Sequence, residues 1–195
     1  MKQEKKNAIA VCVLAGGRSK RMGCEKHSVI IPGDGRTFLD RICDETDVVF
    51  PEHVSGRYLS VRGDQNIARD GFKIVIDRFG DTGPLGGIAS VLMEAERDGF
   101  DAVLMIACDM TAYDHKEIIK ICECYEGEDV LFARTDKTHI QPLASIYGVG
   151  AREAIQKQIE EGNYRIRDIA AIVNKTGYFD TEDPGNYINQ NTPPH

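Results

Sequence analysis

Apolar residues in this chain fall into short runs, broken by glycine- and acid-rich turns and by stretches with helical spacing. Residues 8–14, AIAVCVL, form an unbroken apolar run. That is the pattern of a strand covered on both faces of a parallel sheet. Residues 101–107 (DAVLMIA) repeat it most clearly, and residues 58–61 and 73–76 give shorter versions. Thr37 is placed to cap a helix over 38–43, where Leu39, Ile42 and Cys43 recur at helical spacing. An amphipathic helix is expected over 88–97, after the glycine-rich loop 80–87. Another is expected from the cap Asp114 to about residue 125, with Ile118, Ile119, Ile121 and Cys122 facing inward. Residues 48–54 are ambiguous because Pro51 and His53 interrupt them. Further on, strands are expected over 130–133, 143–147 and 177–179, and a helix over 151–161 closed by Gly162, with a shorter helix over 167–173. The residues from Thr181 onward are rich in Asp, Asn, Pro and Gly.

Strands alternating with helices imply an α/β fold: a three-layer α/β/α, doubly wound, mainly parallel sheet of Rossmann-like type. In such sheets ligands sit outside the carboxyl ends of the strands. Four strands end on residues suited to that edge: Gly16-Gly17, Asp64, Asp77 and Asp109. No repeat, low-complexity tract or linker divides the chain, so a single domain over 1–195 is expected.

Composition narrows the class. A chain of 195 residues with 42% hydrophobic and 28% charged content is ordinary for a soluble protein. No run approaches the ~18 apolar residues of a membrane span. The charged start MKQEKKNAIAVCV flows straight into the glycine turn without a cleavage-site pattern, so a cytoplasmic protein with reduced thiols is expected. Cys122 and Cys124 have no partners that complete a metal site. The net charge of -7 argues against general binding to nucleic acid or to anionic membranes. Against that background Arg18, Lys20, Arg21 and Lys26 crowd the segment after the double glycine, with Glu25 the one acid among them.

Gly16 and Gly17 allow a tight turn whose N–H groups can converge on phosphate oxygens, and the four cations add charge around the same point. Asp109 ends a buried strand, where a carboxylate needs a cation; a Mg²⁺ ion bridging it to phosphates reconciles acid with cationic loop. Asp77 is available for sugar or base donors, and Gly83-Pro84-Leu85-Gly86-Gly87 offers a second close approach of backbone to ligand. Singly, each feature is as well explained as a turn, a solvated face or a helix cap. Jointly, on one edge, they describe a nucleoside triphosphate site. G-x-x-x-x-G-K-[ST], G-x-G-x-x-G after the first strand and G-x-S-x-G are all absent, which sets aside P-loop, dinucleotide and hydrolase readings.

The segment LAGGRSKRMGCEK resembles, position for position, the L-A-G-G-x-S-x-R-M-G-x-x-K signature of molybdenum cofactor guanylyltransferases, in the MobA-like nucleotidyltransferase superfamily. Asp77 with Gly83-Pro84-Leu85-Gly86-Gly87, then Cys108-Asp109-Met110, then Asn189-Gln190-Asn191-Thr192-Pro193 match its later landmarks in order. The resemblance implies a nucleotide-diphospho-sugar transferase-like fold, with residues 8–125 binding nucleotide and 126–195 binding the acceptor. It implies GTP and molybdopterin as substrates and Mg²⁺ as cofactor. A molybdoenzyme or a cofactor-delivery protein is the implied recipient of the product. Arg21, Lys26 and Asp109 take the catalytic positions, with Asp109 on the metal. The nucleotide would meet Leu14, Ala15, Gly16, Gly17, Ser19, Lys26, Asp64, Asp77, Gly83, Pro84, Leu85, Gly86 and Asp109. Gln141, Asn189 and Asn191 are placed toward the acceptor. The chain departs from the pattern at Arg62-Gly63-Asp64, where Asp64 stands for an Asn that touches the nucleotide. It departs again at Thr111, where the family usually has Pro, and in 44–58, irregular where a clean helix leading to a strand is usual. A cytidylyl or sugar-phosphate transferase, and a non-catalytic nucleotide or cofactor binder, remain the alternatives.

Overall fold

The computed structural model describes residues 7–17 and 25–190. Its centre is a seven-stranded sheet in the order β3-β2-β1-β4-β6-β5-β7. The strands are β1 (Ile9–Leu14), β2 (Gly56–Val61), β3 (Lys73–Ile76), β4 (Ala102–Ala107), β5 (Val130–Arg134), β6 (Ala144–Gly148) and β7 (Thr176–Asp180). Pairing is parallel throughout β3-β2-β1-β4 and between β5 and β7; β6 alone runs against both of its neighbours.

Alternation along the central strands builds two cores. On β1 and β4, Val11, Val13, Leu104 and Ile106 face one layer, with Leu39, Ile42, Ile118 and Ile121. These come from α1 (Phe38–Val49) and α3 (His115–Glu123). Ala10, Cys12, Val103 and Met105 face the other layer, with Leu85, Ile88, Leu92 and Ile155. These belong to α2 (Pro84–Asp98) and α4 (Arg152–Glu160). Three α/β/α layers follow from that two-residue period.

The capping readings hold. The Thr37 side chain accepts from the Asp40 N–H, and the Asp114 side chain from the Glu117 N–H. Three expectations change. First, α1 continues to Val49, so a regular helix does lead toward β2; it stops because Phe50 precedes Pro51 and is held extended at φ -88°, ψ 137°. Second, α2 starts at Pro84, so Gly83 is its cap and Pro84 to Gly87 form its first turn rather than a loop. Proline loses nothing at that position, because the first helical N–H groups have no intrahelical partner. Third, the short helix expected over 167–173 is a 3₁₀ segment, Ile166–Ala171. Among the described residues no helix is long and apolar enough to cross a membrane.

Thr37→Ala removes the side-chain acceptor at the start of α1. It is expected to lower stability by about 1 kcal/mol, read as a shifted urea midpoint with an unchanged slope.

Candidate active site

A cleft of about 970 Å³ opens at the carboxyl ends of the first four strands. Of the residues singled out in the sequence, Leu14, Gly16, Gly17, Lys26, Asp64, Asp77, Gly83, Pro84 and Asp109 line it. Ala15 does not: it is 2% exposed, inside the core formed with α1 and α3. Leu85 is fully buried in the opposite core, and Gly86 lies buried under Asp77. Ser19, Arg21 and Asn191, like Arg18 and Lys20, fall outside the described residues. Gln141 and Asn189 are not among the lining residues. The Gln141 carbonyl instead accepts from the Ala144 N–H (2.9 Å) and from Ser145 Oγ (2.6 Å), fixing the turn into β6.

Lys26 and Asp109 form an ion pair on the floor of the cleft, their side chains 21% and 12% exposed. Lys26 sits in a 3₁₀ turn, Lys26–Ser28, and Asp109 lies two residues past the end of β4. The Asp109 main chain is held separately: the Gln190 N–H donates to its carbonyl at 2.9 Å. The tail that carries Gln190 is moored on α3, where Tyr187 Oη donates to Glu117 Oε1 at 3.0 Å and Thr181 Oγ1 reaches the same oxygen. Glu117 is 1% exposed, so these hydroxyls are what make its burial tolerable. The Asn-Gln-Asn landmark thus reaches the site by its backbone within the described residues.

Asp77 follows β3, and its carboxylate Oδ1 accepts from the Phe79 N–H at 2.9 Å. A Cβ at Gly86 would stand 2.6 Å from that same oxygen and 2.4 Å from Thr82 Oγ1. Glycine is needed there for the helix to seat on the carboxylate. Burial raises the Asp77 carboxyl above its ordinary value, and the Phe79 and Gly80 amides only partly offset this. Asp64 is oriented otherwise: its Oδ1 accepts from Arg62 Nε at 2.9 Å, and its side chain is 69% exposed. It therefore does not enter the cleft as an uncompensated charge facing phosphate.

Among the described residues no three His, Cys, Asp or Glu side chains converge to enclose a metal. A Mg²⁺ that keeps several waters and takes phosphate oxygens needs one or two carboxylates, not a cage. Asp109, a hard oxygen donor opening on the cleft beside a cation, fits that use. Three arginines of the second half of the chain sit away from the cleft. Arg134 makes a two-point pair with Asp180 (2.7 and 2.8 Å) and stacks over Tyr178, and neither Arg165 nor Arg167 lines the cleft.

Sequence reasoning missed Ser60, Arg62, Asp81 and Leu143 as lining residues. Ser60 and Arg62 flank the carboxyl end of β2, so the strand-end rule applied to Asp64 pointed at them as well. Leu143 carried no chemical signal; it arrives because its carbonyl accepts from the Ala107 N–H at 2.8 Å, joining the β5–β6 connection to the end of β4.

The glycine turn, the paired lysine and aspartate and the mainly parallel sheet define a nucleotide-transfer class of α/β protein, and comparison with known proteins narrows it. The family described as the MobA-like NTP transferase domain matches residues 11–176. A probable molybdenum cofactor guanylyltransferase of Pelotomaculum thermopropionicum is 30% identical over 171 residues, 88% of this chain and 78% of that relative. A molybdenum cofactor guanylyltransferase of Vibrio parahaemolyticus is 26% identical over 183 residues, 93% of this chain and 89% of that one. The solved molybdopterin-guanine dinucleotide biosynthesis protein A from Archaeoglobus fulgidus superposes with a TM-score of 0.76 at 19% identity, covering 94% of this chain and 93% of that one. The chain belongs to the MobA-like NTP transferase family and is a nucleotidyltransferase.

Asp77→Asn tests the strained carboxyl. A raised folded-state pKa means stability is present below the unfolded value and lost as pH rises through the folded one. The Asn variant should therefore gain stability over wild type as pH is raised from about 4 to 7, while binding nucleotide more weakly. Urea titrations at the two pH values, with calorimetric nucleotide binding, check both halves.

Proposed function

We propose that the protein transfers GMP from GTP to the terminal phosphate of molybdopterin, forming a guanine dinucleotide cofactor and releasing pyrophosphate, with Mg²⁺ at Asp109. The observation that carries this reading is the Lys26–Asp109 pair facing the Gly16-Gly17 turn across one cleft. The guanylyl and molybdopterin specificity is supported by the likeness to molybdenum cofactor guanylyltransferases.

In the reaction an oxygen of the acceptor phosphate attacks the α-phosphorus, and the bond from that phosphorus to the bridging oxygen breaks. The electron pair leaves on pyrophosphate. No protein nucleophile is required, because charge builds on phosphate oxygens and catalysis is positioning plus electrostatics. Lys26 neutralises a non-bridging oxygen and exchanges Asp109 for phosphate as its partner. Asp109, so released, would hold the cation, and Mg²⁺ when bound supplies charge neutralisation between phosphates. Asp77 and the first turn of α2 take the nucleoside, with Asp77 accepting from base or ribose donors. The acceptor enters from the side of the β5–β6 connection and the 181–190 tail, which flank the same edge.

A screen of GTP, CTP, UTP and ATP against molybdopterin and common sugar phosphates tests the assignment. Pyrophosphate release is expected with GTP and molybdopterin together and only with Mg²⁺ present. Preference for CTP, or turnover of a sugar phosphate alone, would replace the substrate assignment. Asp109→Ala should lose at least about a hundredfold in kcat while unfolding cooperatively; wild-type turnover in that variant would remove Asp109 from the reaction.

A further inference from the structure

Where β1 ends, three successive peptide carbonyls leave the ladder. The Ala15 carbonyl accepts from Gln65 Nε2 at 3.3 Å, and Arg62 Nη1 donates to the carbonyls of Gly16 (3.0 Å) and Gly17 (3.4 Å). In a trans peptide the N–H points opposite to the C=O. Anchoring the carbonyls of Ala15 and Gly16 therefore turns the N–H groups of Gly16 and Gly17 to the other side. Among the described residues neither N–H has an acceptor, and both glycines line the cleft. Two adjacent amides without acceptors, held from behind, form an anion-binding concavity.

We infer that Arg62, assisted by Gln65, is a positioning residue that aims the Gly16 and Gly17 amides at the nucleotide's phosphates, acting through the main chain and not by touching phosphate itself. The inference rests on the nucleotidyl-transfer reading above. The alternative role, a direct ion pair with phosphate, is disfavoured by the surroundings of the guanidinium. All three of its nitrogens already have protein acceptors: Nε meets Asp64 at 2.9 Å, Nη1 the two carbonyls and Nη2 Glu25 Oε1 at 2.7 Å. The guanidinium is thus already spent on two carboxylates and two carbonyls, which leaves it little to offer a triphosphate directly. Gln65 Nε2 also donates to Glu25 Oε2 at 2.9 Å, so Glu25 ties the two donors together. Hydrogen bonding from Gln65, then Arg62, holds the Glu25 carboxyl below its ordinary value. Asp64 thereby acquires a purpose: it orients the fork.

The two roles differ in what they require of the side chain. A charge on phosphate survives replacement by lysine; a planar fork reaching two carbonyls and two carboxylates does not. Calorimetric binding of GTP to the full chain, without acceptor, separates them. Arg62→Lys and Arg62→Gln should both weaken binding by about ten- to a hundredfold, to similar extents. Gln65→Leu, which keeps the arginine, should weaken it by about three- to tenfold. The Arg62→Lys, Gln65→Leu double variant should lose less than the product of the two, because both hold the same peptides. Binding is measured well below each variant's melting temperature, so a merely structural role would lower that temperature and leave affinity unchanged. Wild-type affinity in Arg62→Lys, or in Gln65→Leu should the lysine variant not fold, would overturn the inference while leaving the function intact. A wild-type protein that binds no nucleoside triphosphate would overturn both.

Discussion

A buried parallel strand leaves peptide groups without ladder partners at the point where it stops, and the architecture of this protein is largely an answer to that constraint. Each unpaired buried group costs about as much as a lost hydrogen bond, so the edge has to be completed by other segments or by ligand. The Leu14 carbonyl receives the Cys108 N–H, the Val61 carbonyl the Asp77 N–H, and the Asp109 carbonyl the Gln190 N–H. Side chains from the segment after β2 take the next three carbonyls of the first strand. Among the described residues the Gly16 and Gly17 amides are left without acceptors, at the edge where the cleft opens.

The same edge also has to reconcile acids with a ligand that is itself anionic. Asp77 accepts from the Phe79 amide while burial raises its carboxyl, Asp64 meets its guanidinium neighbour and Asp109 meets Lys26. Three different devices handle three carboxylates: a half-buried acceptor held by main-chain amides, a structural brace on Arg62, and a charge paired with a lysine. The sheet's carboxyl edge thereby carries three carboxylates in three different settings without any change of residue type.

Much of this was legible from the residues alone. The unbroken apolar runs placed β1 and β4, the Thr37 and Asp114 caps placed two helices, and the strand ends and turns named about half of the cleft lining. The direction of β6 was not legible, because an apolar run buried on both faces reads the same in either orientation. The length of α1 was obscured by its polar second half, which the packing of Phe38, Ile42 and Val49 carries along. Asp64 was read as a discordant acid on the phosphate edge because its partner is decided by a side-chain conformation, not by spacing. Arg62 was passed over for the same reason: one position in a strand-end triplet does not reveal which way its fork is turned.

The mooring of the tail has a consequence for how the molecule comes into being. The sheet core from β1 to β4 is contained in the first part of the chain, so it can collapse early during synthesis. The backbone of Asp109, however, receives its clasp from Gln190, and that clasp depends on Tyr187 and Thr181 finding Glu117 on α3. The clasp on the Asp109 backbone is thus among the last contacts that synthesis supplies, long after the strand that carries the aspartate.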